Sequence, residues 1–361
     1  MDQSGLKKEV SKSMSNKLKV GIVGFGYMGK IRSHIVNENP ALELVGICEP
    51  DQELIQADKN IECQVFGSHQ DLLRTNLDLV FVCTPNSFSP QIVVDSLTAG
   101  KHVFCEKPPG RELKDVQLMV AAEKKYAPLK LMFGFNHRYH PGILEAKTIV
   151  DSGRMGRILY LKGTYGKSGG KNYLQSWRNR KDISGGGILI DQGIHMMDLF
   201  RLFCGDFKEI KGFLSKNFWD AAVEDNAFVC LRNELGQVAI LHSSATLWKH
   251  TFKLEIFLEG GYLIVSGLLS KTGSYGRETL TIGRRQFEDE AFAVGNPREE
   301  VIYFDQDLSW KMEVDKFVDC IVNDKKVDSS SSHDALRVME LIDQMYREEM
   351  IVNGPGLRGK K

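Results

Sequence analysis

The sequence predicts an α/β protein in two parts, a parallel sheet covered by helices followed by a mostly antiparallel sheet. Three observations lead there. At 361 residues the chain is too long for one ordinary hydrophobic core. Its first third alternates short apolar runs with helical patterns, as strand–helix–strand units do. From 207 to 266 it instead holds consecutive strand-like runs separated by turn signals, which pair as neighbours in antiparallel sheets.

Hydrophobic content of 42% and charge of 26% are those of a soluble globular protein. Basic and acidic residues number 47 each, which excludes the basic field that general nucleic-acid binding needs. No apolar run approaches the roughly 18 residues of a membrane span. Residues 1–17 lack the apolar core of a secretory signal and are expected to form a disordered tail. Seven cysteines, an odd count without a CxxC pair, sit largely in strand-like runs and act as small hydrophobes. That usage fits a reducing compartment, hence the cytoplasm.

The first strand, Lys19-Val20-Gly21-Ile22-Val23, runs directly into Gly24-Phe25-Gly26-Tyr27-Met28-Gly29. A helix follows, with Met28, Ile31 and Ile35 on its apolar face and a stop near Asn39-Pro40. GxGxxG between a strand and a helix is the dinucleotide-binding fingerprint of a Rossmann domain. Gly24 makes the turn, Gly26 lets the backbone reach a pyrophosphate, and Gly29 permits close helix–strand packing. The second strand, Leu44 to Cys48, ends at Glu49, where an acidic side chain takes the ribose hydroxyls. A carboxylate there repels a 2′-phosphate, and no Arg or Lys stands beside it, so NAD is favoured over NADP.

The alternation continues. Leu77 to Cys83 is a near-continuous apolar run, as in strands covered on both faces, and ends in Thr84-Pro85-Asn86. A helix from Pro90 to Ala99 leads to the strand His102 to Cys105, which ends in Glu106-Lys107-Pro108-Pro109. A helix from Leu113 to Tyr126 precedes the strand Lys130 to Phe135. Ligands bind beyond the carboxyl ends of such strands. That puts Thr84, Asn86, Glu106, Lys107 and Asn136 at the cofactor. Lys107, fixed by a proline, can donate to a substrate hydroxyl, and burial or neighbouring positive charge would lower its pKa.

The stretch from Ser184 to Asp198 carries the other half of the chemistry. Gly185, Gly186 and Gly187 let the chain turn tightly and approach a ligand. A helix follows, with Leu189, Met196, Phe200 and Phe203 as its buried stripe. Asp191, His195 and Asp198 share a different stripe, at spacings of four and three. A carboxylate and an imidazole so placed can do acid–base work near neutral pH.

Five segments in this order resemble the glucose–fructose oxidoreductase / inositol dehydrogenase (Gfo/Idh/MocA) family. They are GFGYMG at 24–29, CTPN at 83–86, GKHVFCEKP at 100–108, GFNHRYHP at 134–141 and GGGILIDQGIHMMD at 185–198. The resemblance implies a Rossmann domain over 18–137 and an α+β domain with a large open, mostly antiparallel sheet over 138–310. It implies a nicotinamide cofactor and oxidation or reduction at a sugar or cyclitol carbon. Carried over by position, Lys107, Asp191 and His195 match the family's catalytic trio. Trp177 and Arg178 match a pair that lies against the nicotinamide end, and the peptide before Pro108 is expected to be cis. Ser89 stands where the family often has His. Substrate contacts are expected from Lys107, Arg138, Tyr165, Lys171 and Arg178 as well as from Asp191 and His195.

In the second half, Ile158 to Tyr165 alternates as a strand and leads into a glycine-rich, basic loop. Lys167, Lys171, Arg178 and Arg180 could hold an anionic substrate, such as a nucleotide diphosphate sugar or a uronate. Strands are expected at 207–215, 227–232, 237–244, 252–259 and 262–266, with Glu259-Gly260-Gly261 as a hairpin turn. One face of such a sheet needs cover, so a homodimer or homotetramer through the open sheet is expected. Trp248 could stack on a sugar, but packing in a core or interface is expected. Residues 270–298 are polar and read as a long loop or a pair of short strands. Two amphipathic helices, Trp310 to Val322 and His333 to Met350, return over 311–352 to the Rossmann side, and Ser329 to Ser332 with Asp334 signals a cap. Residues 354–361 read as a tail. His137, His140 and His242 lack companions at ligand spacing, so no metal site is expected.

The function that follows is an NAD(P)-dependent dehydrogenase interconverting a secondary hydroxyl and a ketone on a sugar, a sugar derivative or an inositol. His195 is the base, Lys107 stabilises the oxygen, and Asp191 holds a neighbouring hydroxyl and supports His195. One alternative is a redox-neutral NAD-dependent glycosidase-type enzyme on the same scaffold, distinguished by the absence of free NADH. Another is a catalytically silent NAD-sensing regulator, which binds cofactor without turnover.

Overall fold

The structure, a computed structural model, describes residues 17–56, 58, 61–288, 292–349 and 352–353. The tails expected at the two ends lie outside these residues, apart from Lys17. The first sheet is built from β1 (Leu18–Val23), α1 (Tyr27–Glu38), β2 (Leu42–Cys48), α2 (Gln52–Gln56), β3 (Gln64–Phe66), α3 (His69–Leu73), β4 (Leu79–Val82), α4 (Ser89–Thr98), β5 (His102–Cys105), α5 (Leu113–Lys125) and β6 (Leu131–Phe133). Six parallel strands run in the order β3-β2-β1-β4-β5-β6. The order reverses between β1 and β4, the point at which doubly wound sheets bind ligands. β4 reads LVFV and is buried at every position, because helices cover both faces.

α1 buries Gly29, Arg32 and Val36, not the face of Met28, Ile31 and Ile35 that apolar spacing suggested. The reason is Arg32. Its guanidinium lies over the rings of Phe104 and Trp310, at 4.4 and 4.9 Å, and pairs with Glu106 and Glu313. Paired and stacked, a charged side chain can occupy a core position. β3, α2 and α3 had no counterpart in the sequence reading, since segments of three to five residues carry too little pattern.

The chain then forms α6 (Pro141–Asp151), β7 (Ile158–Gly166), α7 (Lys181–Ser184), α8 (Ile194–Cys204), β8 (Phe207–Lys216), β9 (Asn226–Asn233), β10 (Val238–Ser244), β11 (Thr251–Leu258), β12 (Gly261–Ser266), β13 (Glu278–Arg284), β14 (Glu299–Phe304), α9 (Ser309–Val322), α10 (Ser332–Glu348) and β15 (Val352–Asn353). The second sheet has nine strands in the order β14-β13-β12-β11-β7-β10-β9-β8-β15. Its pairs are antiparallel except β10 with β7 and β15 with β8. β13 lies inside 270–298, where the sequence suggests a long loop or a pair of short strands. It is anchored at its start by Glu278, buried, whose carboxylate accepts from Gly142 N at 2.7 Å and meets His140 Nδ1 at 2.8 Å.

α8 is buried along most of its length and packs on β7 and β10. On the sheet's other face Tyr160, Phe213, Phe228, Ile240 and Tyr303 are exposed. α9 packs on α1 and the turn at 136–139, while α10 packs on α5, α8 and β8 and so touches both halves. Ser331 and Asp334 cap α10 reciprocally, as the serine run suggested. Among the described residues no helix is long and apolar enough to cross a membrane.

Candidate active site

The glycine turn between β1 and α1 is shaped by contact with the neighbouring strand end. Gly24 has φ +90°, and a Cβ there would stand 2.7 Å from the Cys83 carbonyl oxygen. A Cβ on Gly29 would collide with the Gly24 carbonyl, so helix and turn close only around glycine. Gly26, by contrast, opens onto free space. The first turn of α1 has no side-chain cap and no acidic residue, which leaves its N–H groups open to an anion. Phe25 is buried, Met28 half-buried and Tyr27 exposed. Glu49 ends β2 beside this turn and accepts from Phe25 N at 2.7 Å and from Asp51 N at 3.1 Å. Each carboxylate oxygen keeps a lone pair for a hydroxyl. Turn, helix end and acid together fit the pyrophosphate and ribose of NAD.

Two distant segments meet beyond the end of β5. The Lys107 Nζ donates to the Asp191 main-chain carbonyl at 2.7 Å and stands 3.8 Å from that residue's Oδ1. Asp191 lies in a π-helical turn, Leu189–Gly193, that leads into α8. Its carboxylate is held by Lys167 Nζ at 2.8 Å and Arg178 Nε at 3.3 Å. The Asp191 carboxylate makes no hydrogen bond to His195 among the described residues, so the support expected for His195 comes from elsewhere. The π turn breaks the spacing that would have placed the two side chains together on an α-helix.

That support is a second imidazole. The rings of His137 and His195 stack at 3.7 Å with 20° between their planes, and Phe135 meets His195 edge-on. His137 is fixed in turn, Nε2 to Tyr165 Oη and Nδ1 to Asn136 Oδ1, both at 3.1 Å. His195 is buried, and its Nδ1 is enclosed without a partner. Such a group is costly unless a ligand or water completes it.

Burial, with Lys107 and His140 adding, holds His195 well below the usual imidazole range. His137 is lowered likewise, by burial first and then by His195 and His140. Lys107 is lowered by burial, with Asp191 opposing and Arg178 and Lys167 reinforcing the fall. For Asp191 burial alone would raise the carboxyl, but Lys167, Lys107 and Arg178 outweigh it and keep it far below the carboxylate range. The cleft therefore holds neutral imidazole, a lysine of lowered pKa and a permanent carboxylate, which suits proton transfer at a carbon-bound oxygen.

The remaining expected residues divide. Trp177 is half-buried beneath the Arg178 guanidinium, whose carbon lies 4.5 Å from the ring. Tyr165 is buried with its hydroxyl on His137. Asn86 donates to the Ser184 carbonyl at 2.7 Å, tying the first sheet to the glycine stretch, and Thr84 meets Ser89 at 3.1 Å. Glu106 is buried against Arg32, and Asn136 donates to Ser309. Arg138, a candidate substrate contact, is a correction. Its guanidinium is buried in a two-point pair with Asp198, at 2.6 and 2.7 Å, and also meets Asp334. Asp198 thereby leaves the stripe it was expected to share with Asp191 and His195. Arg180 pairs with Asp182, and Lys171 is exposed.

The three glycines before Asp191 are also corrected. Cβ atoms on Gly185, Gly186 and Gly187 would strike the Arg111 backbone, Tyr346 and Glu224. They make room for protein, not for a ligand. Residues absent from the sequence reading of the site include His137, Gln192, His250 and Tyr275. Gln192 Nε2 donates to Tyr275 Oη at 2.8 Å, and the Tyr275 ring lies 4.9 Å from that of His250. Tyr275 falls in the aperiodic stretch after 270, where no signal marked it. Among the described residues no group of three or more His, Cys, Asp or Glu stands where it could hold a metal ion.

Two family models match the chain. Residues 18–135 match a family model described as an oxidoreductase family with an NAD-binding Rossmann fold. Residues 143–264 match one described as a GFO/IDH/MocA C-terminal domain. Levoglucosan dehydrogenase of Pseudarthrobacter phenanthrenivorans is 31% identical over 55% of this chain and 54% of its own. D-glucoside 3-dehydrogenase of Escherichia coli is 29% identical over 67% of this chain and 72% of its own. Inositol 2-dehydrogenase of Salmonella typhimurium is 33% identical over 41% and 46%. The alignments to the first and third thus span about half of those relatives. In solved structures, levoglucosan dehydrogenase in complex with NADH superposes with a TM-score of 0.79 at 24% identity, over 92% of this chain and 96% of that one. KijD10, a 3-ketoreductase from Actinomadura kijaniata in complex with NADP and TDP-benzene, gives 0.80 at 20% identity, over 94% and 100%. These two likenesses show the fold.

Proposed function

The chain belongs to the Gfo/Idh/MocA oxidoreductase family, whose members act on sugar or polyol hydroxyls, and from that premise we propose that it reversibly oxidises a secondary hydroxyl of a sugar, a sugar derivative or an inositol to a ketone. The observation that carries the reading is the meeting of Lys107 with Asp191 in the electrostatic reach of His195. Gly24 to Gly29 and Glu49 would hold NAD, which when bound accepts the hydride from the substrate carbon.

The chain's own residues do the rest. His195, kept neutral by burial, takes the proton of the substrate hydroxyl. Lys107 donates to the same oxygen and stabilises the charge that develops on it. Asp191 fixes Lys107 through its carbonyl and orients Lys167 and Arg178 through its carboxylate. His137, stacked behind His195, sets the plane of the base. In the reverse direction His195 returns the proton to the oxygen.

The apolar side chains on the open face of the second sheet support self-association of this chain as a dimer or tetramer. All seven cysteines are free, three of them buried, which supports a reducing compartment such as the cytoplasm. The test is to mix the protein and NAD with inositols, aldoses, uronates and nucleotide sugars and follow NADH. Net NADH with at least one of them is expected. Product without net NADH would instead indicate the redox-neutral chemistry, and NADH from none would overturn the proposal.

A further inference from the structure

We propose that the preferred substrate carries a carboxylate, held by Lys167 and Arg178 at the side of the cleft, so that the enzyme acts on a sugar acid in preference to a neutral sugar or cyclitol. The inference rests on the dehydrogenase reading above and narrows its substrate.

Charge is the first argument. Asp191 is approached by three cations, Lys167 at 2.8 Å, Arg178 at 3.3 Å and Lys107 at 3.8 Å. The neighbouring carboxylates are already matched. Glu106 is paired with Arg32 at 2.6 Å, and Asp182 with Arg180 at 2.8 Å. With Lys107 given to the reacting oxygen, Lys167 and Arg178 still exceed Asp191 by one positive charge. A single carboxylate balances that excess. A phosphate dianion would overshoot it.

Donor capacity is the second. An ammonium has three N–H donors and a guanidinium five. Lys167 gives one hydrogen bond to Asp191, and Arg178 gives only its Nε. The two terminal nitrogens of Arg178 have no hydrogen-bond partner among the described residues, and its side chain is 43% exposed. A planar fork with free terminal donors is the group that binds carboxylates at two points. A neutral ring would leave these donors to water. On the same side, His250 interacts with Lys167, and its Nδ1 is enclosed without a partner. Gln192 Oε1 is likewise unpartnered and can take a ring hydroxyl.

The experiment uses the NAD-loaded protein with glucuronate, glucose 6-phosphate, glucose and myo-inositol. Two readouts are taken, kcat/KM from NADH formation and the shift of Tm on binding. Glucuronate should exceed glucose by about 10- to 100-fold in kcat/KM, the worth of one hydrogen-bonded charge, and the advantage should shrink as salt rises. Lys167→Gln should collapse the glucuronate-to-glucose ratio, and Lys167→Arg should keep it. Equal kcat/KM for the two, or a ratio unchanged in Lys167→Gln, would overturn the inference while leaving the dehydrogenase reading intact. Preference for glucose 6-phosphate would overturn the carboxylate assignment. NADH from no compound would overturn the dehydrogenase reading. The anion site would then stand on a glucuronate-induced Tm shift that Lys167→Gln abolishes, and fall if no shift is seen.

Discussion

The ammonium of Lys107 donates to the main-chain carbonyl of Asp191 at 2.7 Å, across 84 residues of sequence. One residue lies two positions past the end of β5 in the parallel sheet, and the other sits in the π turn that leads into α8. Because the acceptor is backbone, Lys107 is anchored without using the Asp191 carboxylate. Asp191→Asn therefore keeps the anchor and removes the larger of the two negative charges, Asp191 and Glu106, that raise the Lys107 pKa. The protonated lysine is the donor in the mechanism, so the alkaline limb of the kcat–pH profile should move to lower pH in Asp191→Asn. A limb that stays where it is in the wild type would contradict this role.

The stacked imidazoles make stability depend on pH. Burial lowers both His137 and His195 from the ordinary value of 6.5, so below that pH the unfolded chain binds more protons than the folded one. Their contribution is intact above about 6.5 and is lost as pH falls beneath it, at up to about 1.4 kcal/mol per pH unit for each ring. Denaturant titrations between pH 7 and pH 5 should show this loss, and His195→Gln should show a shallower one. Identical slopes for the two proteins would rule it out.

Arg32 ties the cofactor helix α1 to the strand end before Lys107 and to α9. Its side chain is fully buried, and burial pushes the Glu313 carboxyl up to about 8 against the pull of Arg32. Arg32→Met leaves Glu106 as a buried charge without its partner and should cost about 3–5 kcal/mol by denaturant unfolding. Adding Glu106→Gln and Glu313→Gln to Arg32→Met should recover much of that loss. A single variant as stable as the wild type would show that the network contributes nothing.

Much of this was legible in the sequence because local chemistry demanded it. The turn from Gly24 to Gly29 admits only glycine where helix and strand touch, and β4 is a pure apolar run because both faces are covered. Lys107, Asp191 and His195 stood out by motif and position. Other features depend on contacts between segments far apart in the chain. Arg32 reads as a surface residue until Glu106 and Glu313 arrive, and Arg138 reads as a ligand contact until Asp198 does. Asp191 and His195 were placed on one stripe by a 3.6-residue period that the π turn breaks. Tyr275 and His250 lie in loops, where no periodicity marks a residue. The glycines at 185–187 suggest room for a ligand, but Tyr346 and Glu224 from remote segments fill that room.

The central claim is that Lys107 and His195 act on one substrate oxygen. Its most direct test is a double-mutant cycle in NADH formation, with Lys107→Met, His195→Asn and the pair combined, on proteins shown to bind NAD equally. Each single change should lower kcat by about 100-fold or more. Groups serving one proton transfer fail as a unit, so the double variant should be little worse than the worse single one. Losses that multiply, or a single variant with near-full kcat, would contradict the account.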